Sequence, residues 1–280
     1  MIWDNLLINN EDDIEEGFTG ACRMTRLAIS QGCEPDSVSV DYQWNLHHAL
    51  PWMFTKTLPS GVMRDMVNFF SALGCDLEGR DSEGMTPLLN ACTGTPRSLT
   101  AMAFIAKGAD VHAVHWNGSN ALHHILSQFD YSNSVDPYGQ AQATLIALLR
   151  GGCDPNALNM WVESPSMLAR RSGNRRLWNN VLKLVGYQLR KVSYKASKNR
   201  YIMVVVSGRE DGDILPNSSL SLEAYIDMCK NLWKRRLGPI SYDEDTGEEV
   251  ADEDLSDWNI DEELSGEDLD ETTTEDELSD

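Results

Sequence analysis

The chain has 280 residues, with 23 Lys plus Arg against 44 Asp plus Glu and a formal charge of −21. Taken whole, so acidic a chain is excluded from binding nucleic acid, because neutralisation of phosphate by Lys and Arg supplies most of that affinity. Its longest purely apolar run, Met203 to Val206, grows to six residues if Tyr201 and Ile202 are counted; roughly 20 are needed to cross a membrane, so a soluble protein without a membrane span is expected.

The charge is distributed in three blocks. Residues 1–169 carry 19 acidic and 8 basic side chains, residues 170–240 carry 5 acidic and 15 basic, and residues 241–280 carry 20 acidic and none basic. The start of the chain, Met1-Ile2-Trp3 followed by Asp4 through Asp13, lacks the basic and apolar segments of a signal peptide, and export is not expected. Cysteines 22, 33, 75, 92, 153 and 229 form no Cys-x-x-Cys pair. Reduced thiols in a cytoplasmic or nuclear compartment are the expectation, with no metal and no cofactor.

The first predicted elements repeat. Gly32-Cys33-Glu34, Gly74-Cys75-Asp76, Gly108-Ala109-Asp110 and Gly152-Cys153-Asp154 recur at offsets of 42, 34 and 44. Apolar residues at helical spacing precede them, as in Val62, Met66, Val67, Phe70 and Leu73, or Leu145, Ile146, Leu148 and Leu149. Each glycine stands where a left-handed residue ends a helix at low steric cost. Twelve residues beyond each comes a second signature: Trp44-Asn45-Leu46-His47-His48-Ala49, Thr86-Pro87-Leu88-Leu89-Asn90-Ala91, Asn120-Ala121-Leu122-His123-His124-Ile125 and Ser164-Pro165-Ser166-Met167-Leu168-Ala169. Thr, Asn or Ser caps a new helix there, and Pro suits its first turn.

This pattern resembles the ankyrin-repeat family over roughly residues 14 to 190, through Gly84, Thr86, Pro87, Leu88 and Ala91 and through Gly108, Ala109, Asp110, Gly118, Leu122 and His123. The longer offsets imply insertions, most plainly Gln128 to Pro137, and Ser166 replaces the usual Leu. The resemblance implies an all-α solenoid of four to five helix-turn-helix repeats over 1–190, the first and last degenerate, with β-turn fingers along one edge and short helices lining a concave face. It also implies that His47 and His123 serve in hydrogen bonds between repeats and not in metal binding or acid-base work. Cys33, Cys75 and Cys153, at the Ala position of Gly-Ala-Asp, read as small, buried and inert.

Leu177, Val181, Leu182, Leu184 and Val185 read as the outer helix of a last repeat. A basic C-terminal flank, 191–240, follows, with strand-like Tyr201 to Val206, a loop at Gly212 to Ser219, and a capping helix begun by Ser221 with Leu222, Tyr225, Ile226, Cys229 and Trp233 on one stripe. Residues 241–280 are half acidic and read as a disordered tail. In it Ser241, Thr246, Ser265, Thr272, Thr273 and Thr274 each precede an acidic residue by three, which resembles the acidophilic consensus of casein-kinase-II-type enzymes.

The fingers, 77–84, 111–118 and 155–163 by register, present Arg80, Asp81, His115, Trp116, Met160 and Trp161 as candidate partner-binding residues, since Trp and Arg are the commonest interface anchors. Trp116 and Trp161 either meet a partner or pack on the neighbouring finger. Phe129, Asp130 and Tyr131 of the insertion are weaker candidates. Arg170, Arg171, Arg175, Arg176, Arg190 and Lys191 form a basic patch that could serve nucleic acid, a phospholipid surface, an importin or the protein's own tail, whose r.m.s. reach is about 35 Å, or simply solvate the last repeat; nucleic acid is not expected unless the tail vacates that flank. No phosphate-binding loop, nucleophile elbow or His-Glu-x-x-His is present, and an enzyme is not expected. The reading is a monomeric interaction module that binds a protein partner through its fingers and concave face, with the tail modulating binding. The alternative is a histone-chaperone-like or nucleic-acid-competing factor in which the tail mimics phosphate.

Overall fold

A computed structural model of the chain describes residues 14–34, 36, 38–52, 60–93, 98–127, 137–193, 201–209, 212–216, 218 and 220–237. The insertion candidates Phe129, Asp130 and Tyr131 and the whole acidic tail lie outside them. Short and long helices alternate through most of the chain. The short ones are α2 (Leu46–Ala49), α4 (Pro87–Ala91), α6 (Ala121–Leu126) and α8 (Pro165–Arg171), and the long ones α1 (Ile14–Ser30), α3 (Ser60–Ala72), α5 (Ser98–Lys107), α7 (Pro137–Arg150) and α9 (Arg175–Val185). Each short helix packs on the long helix that follows it, and helices of one kind also pack in series: α2, α4, α6, α8 in one row and α1, α3, α5, α7, α9 in the other. A single buried cluster runs between the rows, from Leu46 and Phe70 through Leu88, Phe104 and Leu122 to Leu148 and Val181. No pair could bury these faces alone.

Local chemistry sets where each helix stops and starts. Gly32, Gly74, Gly108 and Gly152 have φ of +92°, +97°, +98° and +100°, the left-handed exit that only glycine adopts without a Cβ penalty. After three of them an aspartate closes the turn: Asp76, Asp110 and Asp154 accept the N–H of Glu78, His112 and Asn156 at 2.9, 2.9 and 2.8 Å. The short helices begin at Asn45, Thr86, Asn120 and Ser164, extended residues whose side chains accept the N–H of His48, Leu89, His123 and Met167. Asn45 lies thirteen residues past Gly32, whereas the other three caps lie twelve past their glycines. The extra residue sits in the first loop, where Ser39 N–H bonds Trp44 O; the later loops close one residue sooner, Asp81 to Met85, His115 to Ser119 and Asn159 to Glu163. His48, not His47, is therefore the counterpart of His123, which corrects the register read from sequence.

The all-α expectation needs a second correction. Helix α9 ends at Gly186 (φ +84°), and the chain then forms an antiparallel sheet of order β1-β2-β3: β1 (Tyr187–Ser193), β2 (Tyr201–Arg209) and β3 (Gly212–Ile214). The strand foreseen at Tyr201 to Val206 is β2. The loop expected from Gly212 contains β3, and β1 begins inside the span assigned to the repeats. Helix α10 (Leu222–Leu237), whose Ser221 hydroxyl accepts the N–H of Ala224 at 3.1 Å, buries Tyr225 and Cys229 against Ile202, Val204 and Val206 of β2.

Val205 packs into the core of the helices, and Asn156, in the loop before α8, ties this unit to them by hydrogen bonds. Asn156 donates from Nδ2 to Val205 O and accepts the Val205 N–H on Oδ1, both at 2.8 Å, while its carbonyl accepts the Tyr225 hydroxyl at 2.9 Å. It thus completes the hydrogen bonding of β2 as a neighbouring strand would. No helix among the described residues is long and apolar enough to cross a membrane.

Candidate functional site

The four loops that connect long to short helices end in tight turns, and these are linked in series. Tyr42 O in the first accepts Ser82 N–H of the second at 2.9 Å. In the second, Arg80 Nη1 donates to Gly84 O at 2.6 Å and to Val114 O of the third at 2.8 Å. Asn117 O in the third accepts Met160 N–H of the fourth at 2.6 Å. The loop tips are one continuous edge.

On that edge the predicted residues divide. Trp116, Met160 and Trp161 are 71%, 68% and 45% exposed. Of the two possibilities for Trp116, the structure shows packing on the neighbouring finger: its indole lies across Gly84 of the preceding loop, so close that a Cβ there would stand 1.9 Å from Nε1. His115 is half-buried and stacks on Trp116 with centroids 6.0 Å apart. Arg80 is exposed, but its guanidinium ties two loops together. Asp81 corrects the expectation: it is 6% exposed and turns inward, accepting the N–H of Glu83 and Met85 at 2.9 and 2.8 Å and the indole N–H of Trp44 at 3.2 Å. Asn159 does the same for Trp161 and Glu163 in the fourth loop. Both side chains shape their turns.

Sequence reading missed the first loop. Val38, Val40 and Tyr42 are 53%, 84% and 57% exposed, and Tyr42, Trp44 and Trp52 form a ring-on-ring series with centroids 5.1 and 5.8 Å apart. The signal was present in the sequence, since Tyr42 lies three residues before its cap Asn45 as Trp116 lies four before Asn120, but the extra residue shifted the register.

Two histidines each tie a short helix to the loop that follows. His48 and His123 each accept their own cap's N–H on Nδ1 and donate from Nε2 to a carbonyl of the next loop, Met85 O at 2.9 Å and Glu163 O at 3.0 Å. Burial lowers both, His123 to about 4, and also takes His47 to about 4 and His124 to about 3. Burial raises the thiols of Cys75 and Cys153 to about 12, far from the thiolate form that would make them reactive; Cys33 is only half-buried. Among the described residues no three His, Cys, Asp or Glu side chains are grouped to hold a metal ion.

The basic candidates are spread over α8, α9 and β1. Arg171 is exposed and pairs with Glu163. Arg176 on α9 and Arg190 on β1 are exposed, Arg170 and Arg175 are half-buried, and Lys191 lies opposite Met203 in the sheet register. Comparison with protein-family models and with curated proteins finds no match to this chain.

Proposed function

We propose that the protein is a non-enzymatic interaction module, an ankyrin-type array whose loop edge and short-helix row receive a protein partner, with the acidic tail modulating that binding. The observation that carries the reading is the hydrogen-bonded series of loop tips from Tyr42 to Trp161 with Trp116, Met160 and Trp161 exposed on it. Large rings held on a rigid scaffold lose little conformational entropy on binding, and they anchor interfaces for that reason. The alternating helix rows, the four glycine exits and the two Asn-His caps supply the rigidity.

The test replaces Trp116 and Trp161 together by Ala and quantifies capture of protein partners from extract. Capture falls at least tenfold while far-UV circular dichroism stays unchanged. Undiminished capture removes the loop edge from the proposal. Deletion of 241–280 leaves capture intact or strengthens it; its abolition would favour a factor that works through the tail.

A further inference from the structure

The loop edge is chemically graded, and the gradient specifies its occupant. The four loops, 31–45, 73–86, 108–120 and 151–164, contain ten acidic residues and one basic, Arg80. At the tips of the first two the exposed acidic residues are Asp41 and Glu83. Those of the third and fourth, His115 to Gly118 and Asn159 to Val162, have no carboxylate and expose Trp116, Met160 and Trp161 instead. Arg80, the one cation, already has Nη1 bonded to Gly84 O and Val114 O. The protein's own tail is a poor occupant, because its 20 acidic side chains would meet Asp41 and Glu83 on an edge whose loops are acidic overall.

We propose that this edge takes an extended, basic segment of a partner protein, its cationic side chains at the first two loops and its large apolar side chains at the last two. Packed helices lie about 8–10 Å apart and an extended chain advances about 3.3 Å per residue, so consecutive anchors fall about three residues apart along the segment. Cations at Asp41 and Glu83 gain from a loop region with almost no competing positive charge. The indoles and Met160 bury apolar side chains, and Tyr42 offers a ring face to a cation at the acidic end. The edge therefore selects composition and order together.

This inference rests on the loop-edge reading of function, and its test separates the two. A random twelve-residue peptide library is displayed and selected on the full-length chain, and the enriched peptides are measured singly by fluorescence anisotropy. They are expected to be net positive, with Lys or Arg and a large apolar residue about three to nine positions apart. Each should bind at least tenfold more weakly to Asp41→Lys/Glu83→Lys and to Trp116→Ala/Trp161→Ala. Basic peptides held merely by the tail are indifferent to all four substitutions, which act at exposed positions. Enriched peptides that lose affinity to the tryptophan variant but are neutral or acidic overturn the charge assignment and leave the loop edge standing. No enrichment, or enrichment indifferent to both variants, overturns both.

Discussion

At the scale of single residues, the same polar devices recur with different side chains. The Asn45-His48 and Asn120-His123 pairs each cap a helix and reach the next loop, so each histidine is held neutral within a buried hydrogen-bond set. A group whose folded pKa lies below its unfolded value binds more protons when unfolded, so stability falls as pH drops from the unfolded value toward the folded one. For His47 and His123 that window runs from 6.5 down to about 4, and for His124 to about 3. Unfolding free energy should therefore decline steadily below pH 6.5, by up to about 1.4 kcal/mol per pH unit per histidine, read from urea midpoints across pH, and His123→Gln should flatten the decline. Glu78 and Asp154, raised by burial, act in the opposite sense, but only once carboxylates titrate. A second prediction concerns Asn156. Its replacement by Ala strands both the N–H and the carbonyl of buried Val205 and should lower stability by about 3 kcal/mol, read from the urea midpoint.

At the scale of elements, α8 and α9 show how a departure from the repeat pattern is absorbed. Ser166 stands where α4 and α6 carry Leu88 and Leu122, and its hydroxyl accepts the indole N–H of fully buried Trp178 on α9 at 2.9 Å. The small residue on α8 makes room for the large one on α9. Trp178→Ala should cost about 3–5 kcal/mol in chemical denaturation. Ser166→Ala, which keeps the space and removes the acceptor, should cost about 1–3 kcal/mol. The step from α9 to β1 was hidden for a related reason. Half-buried Tyr187 and Leu189 alternate with exposed Gln188 and Arg190, a period of two too short to separate from the helical run that ends at Val185. It becomes a strand because β2 pairs with it.

At the scale of the molecule, charge and packing are segregated. Both buried clusters lie between Leu46 and Cys229, while 20 of the 44 acidic residues lie in 241–280. Deleting that segment should move the melting temperature by no more than about 2 °C and should raise the isoelectric point well above its present value of about 4.5. Calorimetry and isoelectric focusing check the two. A larger loss of stability would mean that the tail is part of the fold.

The sequence by itself determined where the chain turns and where three of its four short helices begin, because glycine exits, Asx turns and caps are chemistry within a few residues of one another. It also placed Trp116, Met160 and Trp161 on the loop edge, since a fixed distance from each glycine sets their position. Tertiary structure decided what those positions face. Asp81 turns inward to Trp44 across 37 residues, Trp178 meets Ser166 across 12, and Asn156 docks β2 across 49. Each contact satisfies a buried polar group whose partner is remote in the chain, and no local pattern announces which remote group that will be.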